Sequence, residues 1–295
     1  MTLRPAAWYT KRIRKSKAKS VEGSSVYICI DIGGTKTLVA SLTDDGVIDE
    51  SVKFPTPDVY EDFLPRFREA VESFTTDDWR AGAVAVPGVV DRKRGIILRL
   101  GNKANWQNIH ILRDIERITH CPMHVENDAK LAGLSEAMLL KDQYKRVLYV
   151  TVSTGIGIGL TVNGRIDPNI GDGGGRSMLL AHNDKLMPWE DFASGKAIVK
   201  KYGKMASEIH DDKTWAEIAR QLTPGLLELI AILNPEVIVI GGGAGHHLGK
   251  RIHILADDLK TYETPMLHMP PILAAKRPEE AVVYGCYDYA RQHHT

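Results

Sequence analysis

Val26-Tyr27-Ile28-Cys29-Ile30-Asp31-Ile32-Gly33-Gly34-Thr35-Lys36-Thr37 is the stretch whose reading decides the fold. Its first six residues are short, apolar and β-branched, the pattern of a buried strand. Gly33-Gly34 breaks that strand, and Thr37 to Leu42 begins a second one. Asp44-Asp45-Gly46 is a turn signal, after which Val47 to Phe54 completes a three-strand meander. Working outward, apolar residues at Phe63, Leu64, Phe67, Ala70, Val71 and Phe74 predict a helix from about Tyr60 to Phe74. Ala83 to Val86 reads as a strand stopped by Pro87-Gly88. Val89 to Asp91 and Gly95 to Leu98 read as a small hairpin. A helix near Ile109 to Ile118 then leads to strand Met123 to Val125 and a helix from about Ala129 to Leu140.

The second half repeats the theme. Val147 to Val152 is a strand, Gly155-Ile156-Gly157 a glycine turn, and Ile158 to Val162 a second strand ending at Asn163-Gly164. Strand, Gly-rich turn, strand therefore occurs twice. The polar, Gly-rich stretch from Asp167 to Gly175 reads as a mobile loop. Helices are expected over Glu190 to Met205 and Thr214 to Leu233. The buried strand Val237 to Ile240 runs into Gly241-Gly242-Gly243, and helices near Leu248 to Lys260 and Glu279 to Arg291 follow. A duplicated β-meander unit with its hinge near residue 130 predicts two lobes about a cleft, the usual place for a ligand.

With 295 residues, 43% hydrophobic and 25% charged, the chain has the composition of a globular protein with a sizeable core. A formal net charge of +1 supplies no global field for nucleic acid or membranes. Cys29, Cys121 and Cys286 are far apart with no CxxC pair, which argues against a disulfide framework or a cysteine-built zinc site. No apolar run approaches the roughly 18 residues of a membrane span, and no signal peptide is evident at the N-terminus. The expected location is the cytoplasm. Lys11 to Lys19 carries six basic residues and no acid; it reads as a solvated, disordered leader or as an electrostatic tether to a polyanion.

Asp31-Ile32-Gly33-Gly34-Thr35-Lys36-Thr37 carries the first chemistry. Adjacent glycines let a backbone approach an anion, and the N–H groups of such a turn form a concave nest. Thr35 adds a hydroxyl and Lys36 a positive charge. Asp31 suits a magnesium ion held through water, since magnesium prefers a few carboxylates and keeps its waters. An ordinary hairpin turn is the plainer alternative. Ser153-Thr154-Gly155-Ile156-Gly157-Ile158-Gly159 offers the same groups between two strands. It is not a dinucleotide fingerprint, because a strand follows where a helix should begin, and it lacks the GK[ST] ending of a P-loop. Gly241-Gly242-Gly243 leaves room for a flat ring against the backbone, or is a tight strand-to-helix connection.

These features together resemble the ROK family (repressor, open reading frame, kinase) of the actin-like ATPase superfamily. The resemblance spans roughly Val26 to the C-terminus. It rests on DIGGTKT at Asp31, VPGVVD at Val86, Asn105-Trp106, Glu126-Asn127-Asp128, STGIGIG at Ser153, Trp189-Glu190 with Ala193-Ser194-Gly195, and PEVIVIGGG from Pro235. It implies a two-lobed α/β, ribonuclease H-like fold: 1–25 as leader, 26–130 as N-terminal lobe, 131–278 as C-terminal lobe, and 279–295 as a helix packing back on the N-terminal lobe. It implies ATP- and magnesium-dependent, hexokinase-type phosphoryl transfer to a sugar. Asp128 would be the base that takes the hydroxyl proton. Asp31, Gly33, Gly34, Thr35, Lys36, Ser153, Thr154, Gly155, Gly157, Gly241, Gly242 and Gly243 would hold ATP. Gly88, Asn105, Asn127, Asp128 and Glu190 would contact the sugar. A helix N-cap is the competing reading of Asn127-Asp128, and Trp106 and Trp189 read as core or loop anchors.

One segment departs from the family pattern. Where ROK sugar kinases carry Glu-x-Gly-His, the matching stretch is Gly171-Asp172-Gly173-Gly174-Gly175-Arg176-Ser177-Met178. Gly174 then stands for the Glu and Ser177 for the His, and the cysteine cluster of the structural zinc is missing, so no zinc is expected. Either the acceptor is held by other groups, such as Asp172, Arg176 or His182, or sugar binding has been lost. Arg176 suits an acidic acceptor, although a solvated surface charge is its plainer reading, and His182 reads as structural. The alternatives to a glucokinase-like enzyme are a catalytically weak or inactive ROK-type nucleotide- or sugar-binding protein and a polyphosphate-using glucokinase. A family repressor is not expected, because only about 25 residues precede the first strand, too few for a helix-turn-helix module. The sequence leaves open which sugar is used and whether the chain forms a homodimer.

Overall fold

A computed structural model describes residues 13–14, 26–101, 103–277 and 280–294. The basic leader expected over 1–25 lies outside the described residues except for Ile13 and Arg14. The chain divides into two compact units, one made of Met1–Asp128 with Val282–Thr295 and the other of Ala129–Ala281.

The first unit contains β1 (Ile13–Arg14), β2 (Tyr27–Ile32), β3 (Lys36–Leu42), β4 (Ile48–Pro55), α1 (Tyr60–Glu72), β5 (Ala81–Val86), β6 (Gly88–Asp91), β7 (Ile96–Leu100), β8 (Lys103–Ile109), α2 (Ile111–Thr119) and β9 (Met123–Asn127). Its main sheet has the order β1-β4-β3-β2-β5-β9. β4, β3 and β2 are joined antiparallel as a meander, whereas β2, β5 and β9 run parallel. β5, Ala81-Gly82-Ala83-Val84-Ala85-Val86, is buried along its whole length, which suits a central strand covered on both faces. Ile28, Ile30, Val84, Val86 and Val125 pack with Phe63, Phe67, Trp106, Ile111 and Ile115 in one core. The small hairpin expected at Val89 to Leu98 is instead a three-stranded sheet, β6-β7-β8. β8, Lys-Ala-Asn-Trp-Gln-Asn-Ile, has one large apolar residue in its middle, too weak an alternation to announce a strand.

The second unit begins at Ala129, within α3 (Asp128–Leu140). It continues through β10 (Arg146–Val152), β11 (Ile156–Val162), β12 (Arg165–Ile166), α4 (Gly174–Ser177), β13 (Leu179–His182), β14 (Lys185–Pro188), α5 (Trp189–Ala193), α6 (Gly195–Tyr202), α7 (Asp212–Leu233), β15 (Val237–Gly241), α8 (Gly242–Gly249), α9 (Ile252–Lys260) and β16 (Ile272–Ala274). Its sheet order is β12-β11-β10-β15-β16, again antiparallel on one side and parallel on the other. This is the order of β4-β3-β2-β5-β9, so the duplication read from the two Gly-rich turns extends to the sheet topology of each unit.

Two expected helices are divided in the structure. The one placed over Glu190 to Met205 breaks at Ser194, whose backbone is extended and whose Oγ accepts the Ala197 N–H at 3.2 Å as the cap of α6. The one placed near Leu248 starts earlier, at Gly242, and separates into α8 and α9. α7 matches its prediction closely because both ends are chemically marked. Asp211 accepts the Thr214 N–H at 2.8 Å, and Asn234 ends the helix in a left-handed conformation, φ 44°.

α10 (Ala281–His293) returns the chain to the first unit. Along β2, Tyr27, Cys29 and Asp31 face opposite to Ile28, Ile30 and Ile32, as a strand requires. Tyr287 of α10 meets Tyr27 edge-on at 5.4 Å, and the Cys286 thiol donates to the Ile30 carbonyl at 3.6 Å.

Candidate active site

In the first unit, β2, β5 and β9 run parallel, so they end along one edge of the sheet, the edge where open α/β sheets collect ligands. Asp31 lies near the end of β2, in register with Ala85, and Ala85 is in register with Glu126. Asp128 follows β9 directly as the first residue of α3. The two carboxylates feel each other. Asp31 has its pKa raised to about 7, first by removal from water and then by the charge of Asp128, with Lys53 acting in the opposite direction. The sheet therefore crowds two acidic groups at one edge.

The turn after Asp31 is tied down from behind. Gly33 N–H donates to the Lys36 carbonyl at 2.9 Å, and Thr56 N–H donates to the Thr35 carbonyl at 3.0 Å. Thr56 Oγ1 donates to the Gly33 carbonyl at 2.8 Å and lies 2.9 Å from Thr37 Oγ1. Gly33 is needed for closure, because a Cβ there would sit 2.8 Å from the Lys36 oxygen. At Gly34 a Cβ would meet nothing within 4 Å. Gly34, Thr35 and Lys36 are exposed. A rigid turn with an open outer surface, a hydroxyl and a cation fits a phosphate group.

The junction between β9 and α3 is braced. Glu126 is buried, 2% exposed, and takes both Arg92 Nε at 2.7 Å and Arg92 Nη2, a bidentate pair. Glu126 Oε1 also accepts the Asn127 N–H at 2.6 Å, and Asn127 Nδ2 donates to the Gly88 carbonyl at 3.1 Å. This clamp fixes the backbone from which Asp128 projects. Asn127 and Gly88 are thus brought together, but the contact is between themselves. A side chain at Gly88 would overlap the Arg99 carbonyl across β6 and β7. Asn105 is exposed on β8.

In the second unit the turn at Ser153 lies between β10 and β11. Ser153 N–H donates to the Gly155 carbonyl at 2.9 Å, and the Ser153 carbonyl accepts the Gly195 N–H at 2.7 Å. Thr154 is exposed. The glycines here are required by packing: a Cβ at Gly155 would lie 2.6 Å from Glu190 Oε2, and one at Gly157 would lie 2.5 Å from the Ala129 Cβ. β15 ends in register with β10 at Thr151 and Gly241. α8 begins at Gly242, which has φ +81° and a Cβ position overlapping Thr151 Oγ1. Gly243 faces open space. The tight strand-to-helix reading therefore describes Gly241 and Gly242, whereas Gly243 leaves room beside the backbone.

Glu190 was expected to contact a sugar. It accepts Arg176 Nε at 2.8 Å and the Ile156 N–H at 3.4 Å, so it braces the second glycine turn. Arg176, 60% exposed, is paired rather than solitary. Gly174 has φ +50°, and a Cβ there would overlap the Ile156 carbonyl oxygen. A glutamate could not replace it without moving the backbone. The stretch expected to be a mobile loop is instead pinned by Lys130 of α3. Lys130 Nζ pairs with Asp172 Oδ1 at 2.8 Å, with side-chain exposures of 1% and 5%, and also donates to the Ile170 carbonyl. The sequence reading missed this pair; its trace is a single lysine in the otherwise apolar run after Asp128. His182 stacks on Phe192 with ring centroids 4.2 Å apart, a structural contact. Trp106 and Trp189 are fully buried core residues. Among the described residues no group of three or more His, Cys, Asp or Glu is arranged to hold a metal, and no helix is long and apolar enough to cross a membrane.

The ROK family profile matches residues 27–179. Among curated relatives, a fructokinase of Zymomonas mobilis is 29% identical over 254 residues, 75% of this chain and 80% of that protein. Among solved structures, a ROK family protein from Streptococcus pneumoniae TIGR4 in complex with sucrose is 27% identical with a TM-score of 0.76, covering 90% of this chain and 98% of that one. A ROK hexokinase from Thermus thermophilus is 27% identical with a TM-score of 0.74 at the same coverages. A profile match over more than half the chain, the repeated sheet order and the two glycine turns lead to one assignment: the chain belongs to the ROK family and has its actin-like ATPase fold.

Proposed function

We propose that this protein is an ATP-dependent carbohydrate kinase that moves the terminal phosphoryl group onto a hydroxyl of a hexose or hexose derivative. The observation that carries this reading is the pair of coupled carboxylates, Asp31 and Asp128, on the strand-end edge of one sheet, with the exposed Gly34-Thr35-Lys36 turn beside Asp31. Curated relatives that are sugar kinases support the enzyme class.

Asp128 is assigned as the base that takes the acceptor proton. Its place at the first turn of α3 favours the ionised form through the helix dipole, and the Arg92–Glu126–Asn127 clamp holds it in position. Asn127 and Asn105 are assigned to neighbouring hydroxyls, with the Gly88 turn as their support. The turns at Gly33 to Lys36 and Ser153 to Gly157, with Gly243, are assigned to ATP. A divalent cation fits the crowded carboxylates because it would relieve their repulsion, and magnesium held by Asp31 through water would screen phosphate charge. Buried free thiols at Cys29, Cys121 and Cys286 support a reducing, cytoplasmic setting.

Purified protein with ATP and magnesium should phosphorylate at least one member of a broad sugar panel. Asp128→Asn should lower kcat by about 10²–10⁴-fold with its melting temperature retained; full activity in that variant would remove Asp128 from its role. A second reading, a nucleotide- or sugar-binding protein with little turnover, draws on Arg176 occupying Glu190 and on the closed backbone at Gly174. Calorimetry showing ATP and sugar binding without product would favour it. Replacing ATP with polyphosphate in the same assay tests the donor.

A further inference from the structure

An open surface groove of about 510 Å³ lies in the first unit, between the β6–β7 turn and α2. Its walls carry Lys93 and Arg94 from the turn and Arg113 and Arg117 from the helix, with Leu112 and Glu116 completing the lining. The local fold explains the gathering. Gly95 has φ +64°, and its position presses on Leu112, where a Cβ would come within 2.7 Å. Leu112 N–H donates to the Gly95 carbonyl at 3.2 Å, so the turn is stitched to the first turn of α2. Arg113 and Arg117 are four residues apart and therefore share the helix face beside that turn.

The electrostatics leave an excess of positive charge. The lining holds four cationic side chains and one carboxylate, Glu116, whose Oε1 accepts the Met123 N–H at 3.0 Å. Arg113 is paired with Asp114 at 2.9 Å, and Arg94 lies 3.9 Å from Asp91. Among the described residues neither Lys93 nor Arg117 has an ion-pair partner. Like charges gathered around a concavity repel one another, and an anion between them turns that cost into attraction. Arginine forks match phosphate oxygens in two-point contacts. No aromatic ring lines the groove, so nothing there offers a stacking surface for a nucleobase.

We propose that this groove is an anion site, separate from the residues assigned to phosphoryl transfer, for a compact ligand bearing two or more phosphate charges. The inference does not depend on the kinase reading, since none of its residues is assigned to ATP or acceptor.

Isothermal titration of the full chain with tripolyphosphate, in metal-free buffer at low ionic strength, tests it. The comparison uses wild type, Lys93→Ala/Arg117→Ala and Lys36→Ala. Lys93 and Arg117 are exposed, so the double variant should retain its melting temperature. Expected is a binding event that Lys36→Ala retains and that the double variant weakens at least 10-fold, whatever binding the Gly33–Lys36 turn adds. Arg117→Glu should weaken it further. Glucose 6-phosphate and fructose 1,6-bisphosphate serve as parallel probes; tighter binding of the bisphosphate than of tripolyphosphate would identify a phosphorylated sugar, and the reverse an inorganic chain. The proposal is overturned if wild type binds none of the three, if the double variant binds as wild type does, if only Lys36→Ala loses binding, or if sulfate binds equally well.

Discussion

Asp31 lies near the end of a strand whose neighbours are apolar, and removal from water, with the charge of Asp128 second, raises its pKa to about 7. In the unfolded chain an aspartate titrates near its ordinary value of about 3.9. Between those two values the folded state holds a proton that the unfolded state has released. Stability from this group therefore falls as pH rises from about 4 to about 7, and the full cost is present above 7. Asp31→Asn removes the cost, so its gain in stability should be greater at pH 8 than at pH 5, by on the order of 2 kcal/mol. Urea denaturation of both proteins at the two pH values measures the difference. A pH-independent gain would show that Asp31 titrates normally. The break at Asp31 was legible from residue types alone, because Gly33-Gly34 interrupts a buried apolar run and a second strand follows. The pKa was not, because it depends on burial in the folded chain and on a residue almost a hundred positions away.

At the scale of elements, α3 carries the consequences that spacing hides. Its sequence is apolar nearly all round, and the helix is buried on most sides, so Lys130 and Glu136 must find partners inside the protein. Glu136 accepts the backbone N–H groups of Lys276 at 3.0 Å and Arg277 at 2.7 Å. Lys130 holds Asp172 and thereby fixes the glycine-rich stretch ahead of α4. Lys130→Met leaves Asp172 buried without this partner and should destabilise the protein by about 3–5 kcal/mol. Lys130→Met/Asp172→Leu should recover most of that loss, because an apolar pair of similar volume has no charge to desolvate. Chemical denaturation of the single and double variants reads this directly. Equal stability of all three proteins would mean that the pair does not hold the stretch. Glycine composition suggested mobility there; a buried ion pair, contributed by a helix some forty residues earlier, decides otherwise.

At the scale of the whole molecule, the chain does not complete its first unit until its last helix. Val283, Cys286, Tyr287 and Ala290 of α10 are buried, and they cover the β2 face that carries Tyr27 and Cys29. Truncation after Glu280 should therefore expose that face and lower stability by roughly 3–5 kcal/mol, measured as a loss of melting temperature and of soluble yield. Retention of the wild-type melting temperature would show that α10 is dispensable for this core. The two glycine turns made the internal duplication readable before any coordinates. The matched strand orders of the two units show how far it extends, including β12 and β16, which are too short to be read from periodicity.

The sequence by itself determined the α/β class, the duplicated strand–turn–strand unit, the family and the residue types of the first phosphate-like turn. The family rests on the resemblance of motifs spread along the chain, and the rest on local signals: apolar runs, glycine breaks and caps within a few residues of one another. Only the tertiary structure decided that Glu190 braces a turn and meets Arg176, that Gly174 is held where a side chain would strike Ile156, and that Lys130 and Asp172 share a buried bond. The reason is physical. A charge's role depends on which charge lies within a few ångströms and how little water lies between them, and neither quantity is written in the spacing of residues along the chain.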